Sequence, residues 1–235
     1  MFMKKKGIFI LVASLGLVAG CATTAPAPEG PAPPQNLLGS TDELQLITEL
    51  SIDLANTYGG SQVLVVLGLE DTLLVTKGNT QASCDGNNEQ VRPTQDDAAS
   101  QVQRMQAAGL RVIAMTSRGA DCLKPTLQQL NSNGFNFQAS AWPMPEGVTA
   151  GSITHYENGV FFTSDQAEGP ALRSLVESSG QPHPMLIVVA DSRQKYLNSV
   201  MQSFSTSAIK VHTWRYEREN TQIASENTQV ATAGN

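Results

Sequence analysis

Three short polar clusters hold the side chains of this 235-residue sequence that could do chemistry together. Gly68-Leu69-Glu70-Asp71-Thr72, Thr116-Ser117-Arg118-Gly119 and Asp191-Ser192-Arg193 each follow directly on an apolar run. Ionised carboxylates such as Glu70 and Asp191 move protons in acid–base catalysis and ligate hard cations. The three cysteines and three histidines are widely spaced, and no Cys/His cluster has zinc-module spacing. His155, His183 and His212 fall in unrelated segments and read as structural or solvent-exposed. No G-x-G-x-x-G or P-loop follows any apolar run, so a dinucleotide or nucleoside-triphosphate site has no support.

The runs ahead of the clusters define the elements that must position them. Val63 to Leu67, Val112 to Met115 and Met185 to Ala190 are continuous apolar segments, the pattern of strands buried on both faces, and Ile209 to Trp214 reads as a last strand. Helical patterns separate them: from the capping-box sequence Ser40-Thr41-Asp42-Glu43 to Tyr58, Pro93 to Met105, Asp121 to Asn133, Gly169 to Ser179, and Arg193 to Phe204. A polar loop from Val75 to Arg92 follows the first strand, and Phe135 to Ala139 reads as a short third strand. Glu157-Asn158-Gly159 between two β-rich segments predicts a hairpin. Trp142-Pro143-Met144-Pro145 reads as a rigid apolar loop tucked over the sheet edge. The predicted class is α/β: a Rossmann-like, doubly wound parallel sheet with an inserted β-hairpin and a long loop after the first strand. In such sheets ligands bind beyond the carboxyl ends of the strands, where all three clusters lie.

In this order the clusters resemble the motifs of the haloacid-dehalogenase-like superfamily of phosphotransferases, and in particular its exported bacterial members. The family's first motif, a hydrophobic strand running into D-x-D-x-T, is matched by Val63 to Leu74 in all but the leading carboxylate. Val112 to Thr116 matches the second motif, a strand ending in Thr or Ser. Ile187 to Asp191 matches the fourth, a strand ending in acidic residues. The resemblance covers Gln62 to Trp214 and implies a haloacid-dehalogenase-like sheet and a magnesium-dependent phosphoryl-transfer site.

The departures from that pattern bear on function. The family's first Asp attacks phosphorus and binds magnesium, and here Gly68 stands in its place. Glu70 occupies the position of the general acid. The motif-three Lys-Gly reads Glu168-Gly169, and the acidic pair of motif four reads Asp191-Ser192. Asp71 points away from the cleft if Glu70 points in, and Lys124 is a cation that could stand in for the missing Lys. The remnant pocket is therefore Gly68, Glu70, Thr116, Glu168 and Asp191, with no intact catalytic set. Asp191 and Glu70 remain as weak metal ligands. The expected function is a catalytically lapsed binding or interaction module without a cofactor. The alternative is a magnesium-dependent hydrolase in which Glu70 activates water while Asp191 and backbone carbonyls hold Mg2+.

The N-terminus addresses the chain. Lys4-Lys5-Lys6 precede an apolar stretch from Gly7 to Gly20, too short to span a hydrocarbon core of roughly 30 Å. It reads as a secretory signal over residues 1–20. Leu17-Val18-Ala19-Gly20-Cys21 resembles a bacterial lipobox, which implies lipidation of Cys21. Ala22 in place of a retention Asp favours the outer membrane, facing the periplasm, where the cell has one. Residues 21–36 form a Pro/Ala-rich spacer, 37–218 the domain and 219–235 a polar tail.

Removing three lysines with the signal takes the formal charge from −6 to −9, which excludes a nucleic-acid partner. The expected partners are the membrane, through the anchor, and an envelope protein. Export also places Cys84 and Cys122 in an oxidising compartment. The resemblance implies that the first two strands are neighbours, which would bring both cysteines over one end of the sheet. A Cys84–Cys122 bridge would close a loop of about 38 residues, worth about 3–4 kcal/mol.

Overall fold

The computed structural model describes residues 31–76, 91–144 and 154–219. A seven-stranded sheet runs in the order β1-β9-β8-β2-β5-β7-β6. Its strands are β1 (Leu37–Thr41), β2 (Val63–Gly68), β5 (Arg111–Thr116), β6 (His155–Glu157), β7 (Val160–Phe162), β8 (Leu186–Asp191) and β9 (Lys210–Tyr216). Every neighbouring pair is parallel except β6 with β7. A separate antiparallel ribbon pairs β3 (Leu74–Thr76) with β4 (Val91–Pro93).

The central strands read as unbroken apolar runs because alternate residues serve two cores. Val63, Val65 and Leu67 of β2 face α1 (Leu44–Tyr58) and α2 (Ala98–Ala107), with α3 (Leu123–Ser132) closing the same cluster through Leu130. Leu64 and Val66 belong to the opposite cluster, with Leu172, Leu175 and Val176 of α4 (Glu168–Ser178) and Leu197, Val200 and Phe204 of α5 (Gln194–Phe204). The sheet is thus covered on both faces, as the α/β reading requires.

Several boundaries differ from the sequence reading. The capping-box residues do not cap α1: Thr41 closes β1, an edge strand that the pattern concealed, and its Oγ1 accepts the Glu43 N–H at 3.1 Å. The Leu44 N–H is met instead by Gln95 Oε1 at 3.0 Å, from 51 residues away. The loop after β2 is paired at both ends by the β3–β4 ribbon, and α2 starts at Ala98 because Pro93 is committed to that ribbon opposite Leu74. Residues 77–90, with Cys84, lie outside the described residues.

Phe135 to Ala139 is not a strand. Phe135 and Phe137 stack with centroids 6.1 Å apart, and a 3-10 turn follows at Gln138–Ser140. The place beside β5 goes to β7, so the hairpin is part of the main sheet rather than an appendage. Asn158 and Gly159 turn it with φ of 51° and 77°, the left-handed conformations a two-residue turn demands. Trp142 is buried in the α4–α5 core, its backbone N–H donating to the Tyr156 hydroxyl at 2.7 Å. Pro145 and residues 220–235 of the tail lie outside the described residues.

The end of the spacer docks on the sheet. Asn36 Oδ1 accepts the Val211 N–H at 2.9 Å, the Gln35 carbonyl lies 2.9 Å from His212 Nε2, and the Tyr58 hydroxyl donates to the Ala32 carbonyl at 2.8 Å.

Candidate functional site

Because β2, β5, β7 and β8 are mutually parallel, their carboxyl ends open on one edge of the sheet. Gly68, Thr116 and Asp191 are the last residues of β2, β5 and β8. Glu70 sits in the turn after β2, where Asp71 adopts φ 53° and its N–H reaches back to the Leu74 carbonyl at 2.9 Å. Glu168 opens α4 and is only 4% exposed. All five residues of the expected pocket converge on one cleft.

The geometry at Gly68 is decisive. A Cβ on this residue would lie 2.2 Å from Asp191 Oδ2, 2.8 Å from its Cγ and 3.2 Å from Thr72 Oγ1. The volume a side chain at position 68 would need is filled by the Asp191 carboxylate, which is itself 1% exposed. Asp191 Oδ1 accepts the Arg193 backbone N–H at 2.8 Å and its Nε at 3.1 Å, and Oδ2 accepts Nη2 at 3.2 Å. The Arg193 guanidinium lies 3.5 Å over the Tyr196 ring and 3.4 Å from Ser117 Oγ.

Glu70 is held from the other side. Its Oε1 accepts Thr116 Oγ1 at 2.8 Å and Arg118 Nε at 3.0 Å, while Arg118 Nη1 reaches Thr126 Oγ1 at 2.9 Å and Gln129 Oε1 at 2.7 Å on α3. The Glu70 backbone carbonyl accepts Ser192 Oγ at 3.1 Å, and the Ser192 N–H donates to Thr72 Oγ1 at 2.9 Å. The β2 and β8 ends are therefore laced through backbone as well as charge.

Arg118 and Arg193 are the charged partners of these acids to which the motif reading gave no role. Both stood in plain sight as the third residue of Thr-Ser-Arg and Asp-Ser-Arg directly after a strand. That repeated pattern was the available signal. Lys124 is exposed on α3, and among the described residues Arg118 and Arg193 pair with the acids of the cleft. Asp71 is also exposed, within electrostatic reach of Glu70 and Arg193 rather than turned wholly from them.

Electrostatics follow from burial. Burial pushes the Asp191 carboxyl above its ordinary value while Arg193 pulls it back. Burial opposes the Arg193 charge, but Asp191 and then Glu70 outweigh it and hold the guanidinium above its usual pKa. Glu168 is raised by burial, with Arg193 and a Tyr196 hydrogen bond acting the other way.

Further strain gathers at the same edge. Ser164 and Asp165, just past β7, adopt φ of 50° and 60°, conformations that cost non-glycine residues about 1–2 kcal/mol each. Their N–H groups donate to the Arg118 carbonyl at 3.1 Å and the Ser117 carbonyl at 2.9 Å, tying the end of β7 to the loop after β5.

The residues present do not fit an oxygen-ligated divalent cation. Mg2+ demands near-octahedral oxygen ligands, yet both Asp191 oxygens and Glu70 Oε1 already accept arginine hydrogen bonds. Among the described residues no three His, Cys, Asp or Glu side chains gather as a metal set. Cys122 is buried in the 3-10 turn after β5 and is not a free thiol. Cys84 and Cys21 lie outside the described residues. His183 is exposed, and His155 and His212 bind Glu157 and Gln35 away from the cleft.

Gly68→Ala should destabilise the protein by about 3 kcal/mol, since the methyl group must displace a buried, paired carboxylate. Urea unfolding measures this, and wild-type stability in the variant would contradict the packing described. Glu168→Gln tests the electrostatics. A carboxyl whose folded pKa is raised stabilises the fold below its unfolded value of 4.5 and loses that contribution as pH rises through the folded pKa. The variant should therefore gain on wild type near neutral pH and lose the advantage in acid, as followed by thermal melts across pH.

A family model described as a protein of unknown function (DUF2608) matches residues 80–234, which include Thr116, Arg118, Glu168, Asp191 and Arg193 but not the turn after β2. No curated protein and no solved structure matches the sequence. The match spans more than half of the chain, and the protein belongs to the DUF2608 family.

Proposed function

We propose that this is a lipid-anchored protein of the bacterial cell envelope whose haloacid-dehalogenase-like domain has lost phosphoryl transfer and serves as a binding or interaction module. The observation that carries the reading is the Asp191 carboxylate lodged where a side chain at position 68 would have to stand. Covalent phosphoryl transfer on this sheet needs a nucleophilic carboxylate at that point, and Gly68 offers no oxygen. The strand order and the parallel register of β2, β5 and β8 support the fold half of the proposal. The anchor rests on Leu17 to Cys21 and on the proline-rich spacer that follows, which places the domain off the bilayer. Among the described residues no helix is long and apolar enough to cross a membrane.

Glu168 adds to the case. A dianionic phosphate ester entering the cleft meets Glu70, Asp191 and Glu168, while both arginines are already committed to the first two. Unit like charges about 4 Å apart at an effective dielectric near 20 repel by roughly 4 kcal/mol, which makes a phosphate monoester a poor occupant.

The full-length, detergent-solubilised protein should release no phosphate from monoester substrates above buffer, with or without Mg2+. Magnesium-dependent release that Asp191→Asn or Glu70→Gln abolishes would establish the hydrolase instead. Mass spectrometry of unreduced, alkylated protein from the envelope should show acylated Cys21 and a linked Cys84–Cys122 pair. An unacylated Cys21 would remove the anchor, and alkylation of both Cys84 and Cys122 would remove the bridge. Crosslinking in intact envelopes identifies the partner.

A further inference from the structure

At the centre of the cleft two carboxylates face two guanidinium groups, and the two arginines are not equivalent. Arg118 is tied down by its Nη1 bonds to Thr126 and Gln129 and offers Glu70 only its Nε. Arg193 instead bridges both acids: Nε and Nη2 serve Asp191 at 3.1 and 3.2 Å, and Nη2 lies 3.8 Å from Glu70 Oε2. That Glu70 oxygen is buried and has no hydrogen bond, and Arg193 stands beside it as a countercharge. The guanidinium is further fixed by the Tyr196 ring beneath it and by Ser117.

We infer that Arg193 is the resident cation of this cleft, a covalently tethered charge bridging Asp191 and Glu70 that makes the site independent of divalent metal. A planar fork satisfies a carboxylate through parallel N–H bonds and needs no hydration shell, so it suits a space too tight for a hydrated ion. The close approach at Gly68 completes the arrangement: with no Cβ there, the Asp191 carboxylate lies against the strand end in reach of the fork. The inference concerns how charge is balanced and does not rest on the proposed loss of catalysis.

Full-length protein stripped with EDTA is titrated with Mg2+ and Mn2+ by calorimetry, Mn2+ electron paramagnetic resonance and thermal melting. Wild type should show no binding and no rise in Tm at millimolar metal. Arg193→Gln should melt lower in EDTA and bind Mn2+ at least about tenfold tighter than wild type, because a positive charge beside two carboxylates has gone. Adding Asp191→Asn to that variant should abolish the gain. Arg193→Lys keeps the charge and should stay blind to metal, which keeps the test decisive if Arg193→Gln fails to fold. Wild type that binds Mg2+, a folded Arg193→Gln with no gain, or an Arg193→Lys that binds Mn2+ would each overturn the inference. Metal-free wild type that released phosphate would refute the proposed function and leave this inference intact. Magnesium binding without turnover would do the reverse.

Discussion

The Asp191 carboxylate is buried at the end of a central strand, and much of the cleft is arranged around keeping it there. An isolated charge in that position would cost several kcal/mol, and removing one partner of a buried pair typically costs 3–5 kcal/mol. Arg193 answers the charge with three hydrogen bonds, one from its backbone and two from its side chain. A Cβ on the residue facing the carboxylate on β2 would force that carboxylate to shift, and Gly68 leaves it in place. Ser192, between the two charged residues, fastens the turn after β2 through Thr72 and the Glu70 carbonyl. One ion pair thus links the end of β8, the glycine at position 68 and the path of the turn that carries Glu70.

The same turn is held from behind by a buried polar network. Thr94 Oγ1 donates to the Thr72 carbonyl at 2.7 Å and lies 3.4 Å from the Tyr216 hydroxyl, which donates to Gln95 Oε1 at 2.8 Å. Gln95 Oε1 also receives the first N–H of α1. The start of the first helix, the end of the last strand and the β3–β4 ribbon therefore meet behind the cleft. Thr94 Oγ1, the Tyr216 hydroxyl and Gln95 Oε1 each find a partner here, and such networks specify a single arrangement more sharply than apolar packing alone. The two hydrophobic layers supply bulk stability, while the polar network sets the register of the parts.

The proposed loss of turnover accords with how charge is arranged in the cleft, where Glu70 and Asp191 face Arg118 and Arg193. Catalysis needs groups that change partners as charge develops in a transition state. Here Arg118 already pairs with Glu70 and Arg193 with Asp191, and the arginine side chains anchor to α3 on one flank and to Tyr196 on the other. The left-handed Ser164 and Asp165 add a tie between β7 and β5 at the same edge. The family match takes in Arg118, Arg193 and the strands that carry them.

The sequence by itself determined the class of fold, because Val63 to Leu67, Val112 to Met115 and the Met185 to Ala190 run, buried from Leu186 on, are apolar without alternation, as strands covered on both faces are. It also determined the hairpin at Asn158-Gly159, where the backbone needs two left-handed residues in succession. The polar clusters were legible as strand ends for the same local reason. What the tertiary structure decided was everything that depends on partners distant in the chain. β1 exists because β9 offers it a parallel edge, and its own five residues carry no strand signature. Phe135 to Ala139 has strand composition but lies outside the sheet, since β7 takes the place beside β5 and the two phenylalanines stack into the core. The roles of Arg118 and Arg193 were hidden too, because a charge following a strand is ordinary until its counter-charge is placed 48 residues away, in the case of Arg118 and Glu70. Local propensity is written residue by residue, whereas a buried ion pair is a property of two strand ends brought side by side.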